Sequence, residues 1–200
     1  LILHSREQAH TASLADALRQ QGFRVHQVAA ELSDAAAVRG LADAVRALCG
    51  APDVLYNNAA IMTAYHENYL DVVPAEYALS FQVNTLAPIL LCNAFLPDMM
   101  KKGWGRIVNV TSGIKDQPEL MAYAASKAAL DKYVYDMAPK LQGSGVTMNL
   151  LDPGWLRTDL GGPNAPNAVE SVLPGALVPV LATNGISGQF IHAQDYAVPR

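Results

Sequence analysis

Two cysteines in 200 residues are too few for a disulfide framework. Cys49 and Cys92 both fall in helical-looking segments, and the expectation is two thiols in a reducing, cytoplasmic setting. Charge is also sparse. The chain has 14 basic against 18 acidic residues, a formal net charge of −4, with neither a basic cluster nor a basic amphipathic helix. That balance gives no reason to expect nucleic acid or an anionic membrane as partner. No uninterrupted apolar run reaches the roughly 18–20 residues a membrane span needs, and Leu1–Arg6 lacks the charged-then-apolar plan of a signal segment. His4, His10, His26, His66 and His192 are scattered without ligand spacing, so no metal is expected. Repeats, low-complexity tracts and long linkers are missing too. What remains is a chain 51% hydrophobic, enough for a substantial core, and one domain over residues 1–200 is the expectation.

Strand-like and helix-like stretches alternate. Leu1–His4 is a short apolar run. Glu7–Gln21 has helical spacing and stops at Gly22. Phe23–Ala29 reads as a strand. Ser33 is the expected N-cap, with Asp34 in the first turn, of a helix running to about Cys49. Val54–Asn57 is a strand that breaks into Asn57-Asn58-Ala59-Ala60. A long helix is expected from about Pro74 to Met100, with Pro97 bending or ending it. Gly105–Thr111 is a strand, Pro118 opens a helix ending near Gly143, and Val146–Leu151 is a strand stopped by Asp152-Pro153-Gly154. Residues 155–167 read as a mobile loop, and a last helix at about Ala168–Ala182 precedes a strand at Gln189–His192.

Alternation of this kind predicts a doubly wound parallel sheet, three layers α/β/α, with helices on both faces. Ligands of such sheets bind beyond the carboxyl ends of the strands. Asn57, Ser112 and Pro153-Gly154 each follow a strand, although turn chemistry alone can place such residues there.

The strongest local signal is Tyr123-Ala124-Ala125-Ser126-Lys127. Tyr and Lys four apart share a helix face. An ammonium near a phenol favours the tyrosinate and lowers its pKa from about 10, which suits Tyr123 to general acid/base work. Ser112 closes the preceding strand within reach of the same substrate oxygen.

The ordered set Asn57-Asn58-Ala59-Ala60, Val83-Asn84-Thr85, Ile107-Val108-Asn109-Val110-Thr111-Ser112, Tyr123 to Lys127 and Pro153-Gly154-Trp155-Leu156-Arg157-Thr158 resembles the short-chain dehydrogenase/reductase family, from residue 1 to about residue 160. The resemblance implies a Rossmann-type dinucleotide fold and carbonyl reductase-like chemistry. Tyr123 would protonate a carbonyl oxygen or deprotonate an alcohol, and Ser112 would orient that oxygen. Lys127 would lower the Tyr123 pKa and hold the nicotinamide ribose. Asn84 would distort its helix, its main chain holding a water that relays protons to Lys127. Asn57 and Ala59 would meet the adenosine ribose and support the central strand. Glu31-Leu32 would lie along the adenine, where the family more often has Asp. Pro153, Gly154 and Thr158 would bind the nicotinamide carboxamide and pyrophosphate.

Arg6 follows the first strand. In a dinucleotide fold an acidic residue there meets the ribose hydroxyls of NAD, whereas Arg accommodates the 2′-phosphate of NADP. NADP is therefore expected over NAD, although a solvated Arg at a strand end is the plain alternative. Ala60 stands where the family usually has Gly, and the Ser112–Tyr123 gap is shorter than usual.

The family's glycine-rich pyrophosphate turn is absent. Either Ser5–Ser13 replaces it, or Leu1–His4 corresponds to the family's second strand and some tens of residues belong before Leu1. Spacing to Glu31 favours the second reading, in which the domain lacks its first β-α unit. Direct pairing of Leu1–His4 with Val54–Asn57 would overturn it.

Trp155 either walls the substrate pocket or packs. Met62, Tyr65 and His66 are weaker pocket candidates, and Lys115, Asp116 and Gln117 lie in the family's substrate loop. Residues 155–167 would form a lid. The long helices suggest a homodimer or homotetramer. Two functions are weighed: an oxidoreductase acting on a small-molecule carbonyl or alcohol, and a non-catalytic dinucleotide-binding or interaction module.

Overall fold

A computed structural model of the chain describes residues 1–197. Six short strands and their helices alternate: β1 (Ile2–Ser5), α1 (Ala9–Gln20), β2 (His26–Ala29), α2 (Ala35–Cys49), β3 (Val54–Asn57), α3 (Pro74–Phe81), α4 (Ala87–Lys102), β4 (Gly105–Val110), α5 (Met121–Met137), β5 (Val146–Asp152), α6 (Val178–Leu181) and β6 (Phe190–His192). All strand pairs are parallel, as βαβ crossovers require.

The strands form two ladders. β1 pairs with β2, and β3-β4-β5-β6 run in sequence order. Among the described residues β1 makes no ladder with β3, the pairing that would have overturned the alignment of Leu1–His4 with the family's second strand. β4 is buried at every position, and β5 at every position but its last. Strands covered on both faces are rich in apolar residues, here Ile107, Val108, Val146, Met148, Leu150 and Leu151, but Arg106, Asn109, Thr147 and Asn149 are buried with them. β1 is only half-buried throughout.

α2 shows how local sequence sets an element. Asp34, not Ser33, is its N-cap, and the carboxylate accepts the Ala36 N–H at 2.7 Å. A β-region Asp satisfies one of the first-turn donors that the helix leaves open. Val38, Leu41, Ala42 and Val45 then recur at three- and four-residue steps and enter the core.

Pro74–Lys102 is helical throughout, with a π turn at Gln82–Leu86 between α3 and α4. Pro97 does not end it. By length and composition this helix could cross a membrane, but over half of its apolar window lies inside the fold. Leu91, Cys92, Phe95, Leu96 and Met99 are all buried, at about 1.5–3 kcal/mol each for the large side chains.

The single helix expected over 168–182 is broken up. 3₁₀ turns at Val169–Val172 and Gly175–Leu177 lead into the four-residue α6. Pro174 lacks an N–H and restricts Leu173 to extended backbone, so one continuous ladder cannot form. Residues 155–167 form a loop tied to itself: Leu156 bridges Asn167, the Arg157 N–H meets the Asn167 carbonyl at 2.9 Å, and the Trp155 indole donates to the Gly161 carbonyl at 2.7 Å.

Candidate active site

The chemistry sits where β4 and β5 end. Ser112 lies two residues past β4, and α5 carries Tyr123, Lys127 and Asp131 at four-residue intervals along one face. Tyr123 and Lys127 are both buried. The Ser112 hydroxyl is near enough to the Tyr123 phenol to favour its charged form by hydrogen bonding. The Lys127 Nζ lies 5.9 Å from the Tyr123 ring centre and donates to the Val110 carbonyl at 2.8 Å. The three side chains singled out in the sequence are therefore brought together.

Their electrostatics differ from the expectation in one respect. The Tyr123 pKa is raised, not lowered: burial opposes the phenolate, the Ser112 hydrogen bond works against that, and Asp152 reinforces the rise. Burial also lowers the Lys127 pKa to about 8, with the Asp131 carboxylate raising it. Asp131 is itself raised by burial and accepts a hydrogen bond from the Thr111 hydroxyl.

Asn84 is buried in the π turn. Its Oδ1 accepts the Ile61 N–H at 2.9 Å, and its Nδ2 donates to the Ile61 carbonyl at 2.9 Å and to the Ser126 hydroxyl at 3.0 Å. The side chain thus pins the segment after β3 to α5. π turns are often found at functional positions. Asn57 is buried and donates to Asn109 Oδ1 at 2.9 Å, tying β3 to β4, while Ala59 is exposed.

Pro153 and Gly154 follow β5, and Gly154 has φ +78°. The Gln194 amide holds the Pro153 carbonyl at 2.8 Å and the Ser171 hydroxyl at 2.9 Å. Thr158 is exposed, its hydroxyl accepting the Gly161 N–H at 3.0 Å. Trp155 is also exposed. His66 pairs with Glu76 at 2.9 Å on the β3 side.

At the other ladder, Arg6 follows β1 and Glu31 follows β2, close enough for the guanidinium to lower the Glu31 pKa. The larger cause is local, since the Glu31 carboxylate accepts the Ser33 N–H at 2.9 Å. Leu32 is buried and joins the core.

Sequence reasoning missed Asp131, Asp152 and Gln194. The four-residue step Tyr123-Lys127-Asp131 was a usable signal for the first. The other two act across neighbouring strands, about forty residues apart in sequence, and no spacing rule reveals them.

The model of the short chain dehydrogenase family matches residues 1–168. C-signal from Myxococcus xanthus is 34% identical over 159 residues, covering 76% of this chain and 95% of that protein. A short chain dehydrogenase from Pseudocercospora fijiensis is 30% identical over 166 residues, 80% of this chain and 52% of that one. The chain thus spans about half the length of that relative. Among solved structures, NADPH-bound carbonyl reductase from chicken fatty liver superposes with a TM-score of 0.83 at 25% identity, covering 100% of this chain and 87% of that one. A metagenomic short-chain oxidoreductase in complex with NADP gives 0.79 at 27% identity, with 96% and 84% coverage. The matched residues run from β1 through the turn after β5, so the whole Ser112–Tyr123–Lys127 cluster falls inside them, and the chain belongs to the short-chain dehydrogenase family.

Proposed function

We propose that the chain carries the proton-transfer machinery of an NADP(H)-dependent oxidoreductase that interconverts a ketone or aldehyde and an alcohol. One observation supports it above others: a buried phenol at the carboxyl end of the sheet has a serine hydroxyl beside it and a buried ammonium one helical turn on.

Tyr123 gives its phenolic proton to the carbonyl oxygen during reduction and takes it back during oxidation. Its raised pKa keeps the phenol protonated at neutral pH, which suits the reductive direction. Ser112 orients the same oxygen by hydrogen bonding. Lys127, largely protonated at pH 7, returns a proton towards Tyr123. Asn84 feeds Lys127 through a main-chain-held water, a role suited to the carbonyls that a π turn moves off the regular ladder.

The residues present fit the cofactor at two ends. Gly154 at positive φ makes the sharp turn after Pro153, where a Cβ would be strained and would lie 3.0 Å from the Gln194 side chain. Arg6 is exposed beside β2, where a guanidinium can take a 2′-phosphate bidentately. Lys127 and Tyr123 would hold the nicotinamide ribose, Pro153, Gly154 and Thr158 the carboxamide and pyrophosphate, and Asn57, Ala59, Glu31 and Leu32 the adenosine. The bound cofactor supplies a hydride in reduction and accepts one in oxidation. The NADP-bound structural relatives support an NADP-type nucleotide cofactor.

The reading includes a cytoplasmic location, which the free thiols Cys49 and Cys92 suit. It also includes a homodimer or homotetramer through α4 and α5, whose Met100, Met121 and Tyr135 are exposed; sedimentation would measure it. A second reading is a non-catalytic dinucleotide-binding or interaction module of the same fold.

NADPH consumption across a panel of ketones and aldehydes separates the two. Turnover by the wild type and its loss in a folded Tyr123→Phe variant are expected. Turnover retained by Tyr123→Phe rejects the mechanism, and NADPH binding without consumption favours the module.

A further inference from the structure

Asp152 ends β5 opposite His192 in register, and its side chain is only 13% exposed. Two backbone N–H groups and one imidazole meet on its carboxylate. Oδ2 accepts the Gly113 N–H at 3.1 Å, Oδ1 accepts the Gly154 N–H at 2.9 Å, and His192 Nδ1 lies 3.3 Å from Oδ2. Gly113 immediately follows Ser112, and Gly154 belongs to the turn proposed to hold the nicotinamide end. The fit at Gly113 is close: a Cβ there would lie 2.7 Å from Asp152 Oδ2. One carboxylate therefore spans the gap between the serine side of the site and the cofactor side.

We propose that Asp152 is a positioning residue, its carboxylate fixing Ser112 and the Pro153–Gly154 turn relative to one another, with His192 steadying it from the end of β6. The inference rests on the reading of Tyr123 as acid/base. Hydrogen bonds from backbone N–H groups to a carboxylate are stronger than those to a neutral amide, so they hold position better. Catalytic groups displaced by about 1 Å can lose 100-fold in rate.

The carboxylate also acts at a distance. It raises the pKa of Tyr123 and of Asp131. The titratable groups that it acts on are Tyr123 and Asp131 from α5, and His192 from β6 pairs with it. From the end of β4 the chain offers it only the neutral Thr111, Ser112 and Gly113.

Position and charge separate in two variants. Asp152→Asn keeps the shape but removes the charge and one acceptor. Gly113→Ala keeps the charge but forces the loop away. With ¹⁵N-labelled protein and no cofactor, both should shift the Gly113 and Gly154 amide resonances and speed their hydrogen exchange. With NADPH and a ketone that the wild type reduces, both should lose about tenfold or more in kcat. Only Asp152→Asn should move the alkaline limb of the rate profile to lower pH, because the charge that raises the Tyr123 pKa is gone. If Asp152→Asn does not fold, Gly113→Ala still decides the positioning claim through its amides and kcat. Unmoved amides, or wild-type kcat and pH profile alongside an inactive Tyr123→Phe, overturn the role of Asp152 alone. A lower melting temperature with unchanged kinetics overturns it as well. Turnover retained by Tyr123→Phe overturns the acid/base reading instead.

Discussion

The two ladders of the sheet are built from different material. β4 and β5 are paired along both edges and buried among Ile107, Val108, Met148 and Leu150. Among the described residues, β1 and β2 are mostly half-buried and pair only with each other. Ser112, Tyr123, Lys127 and Asp152 hang from the first ladder, Arg6 and Glu31 from the second. Proton transfer needs groups held to a fraction of an ångström, and rigid, doubly paired strands supply that. Recognition of a phosphate by an exposed Arg tolerates more motion.

The contrast is open to direct attack. Tyr123→Phe should cost about 10²–10⁴-fold in turnover, the usual worth of a general acid/base, and steady-state kinetics would measure it. In the core of the same ladder, Leu150→Ala should destabilise by about 2–5 kcal/mol, and Leu3→Ala in β1 by clearly less. Urea unfolding compares them, and equal losses would erase the distinction between the ladders.

Lys127 gives a pH test. Its folded pKa is depressed from 10.5 to about 8. Below pH 8 both folded and unfolded chains keep the proton, and the fold bears the full cost of burying it. Between those two values the folded chain has released the proton while the unfolded chain retains it, so stability rises with pH. Wild type should therefore gain on Lys127→Met by on the order of 3 kcal/mol across that window. A pH-independent difference would show that Lys127 is not buried as a charge.

The smallest expected effect is at the other ladder. Arg6→Gln should weaken NADPH binding by about tenfold, a loss typical of one charge-assisted contact, while leaving NADH nearly untouched. Equal losses for both cofactors would detach Arg6 from the 2′-phosphate.

Much of this was legible beforehand, for identifiable reasons. β4 and β5 announce themselves by their β-branched and apolar residues, even though Arg106, Asn109, Thr147 and Asn149 are buried within them. Tyr123 and Lys127 share a face because a helix repeats nearly every four residues. The N-cap of α2 was misplaced by one residue, since Ser33 and Asp34 are chemically equivalent candidates and only backbone geometry chooses. The helix expected over about 168–182 is broken because Pro174 lacks an N–H and holds Leu173 extended, so turns at Val169–Val172 and Gly175–Leu177 replace it. The Tyr123 pKa was misjudged in direction: spacing gives the distance between phenol and ammonium along a helix, but not the burial around them.

The short strands β1 (Ile-Leu-His-Ser) and β3 (Val-Leu-Tyr-Asn) carry neither lysine nor proline, the residues that blunt a bare strand margin. Among the described residues, each has one such margin without a ladder partner. The main-chain N–H and C=O groups along such a margin can take an added parallel strand by hydrogen bonding alone, whatever its side chains.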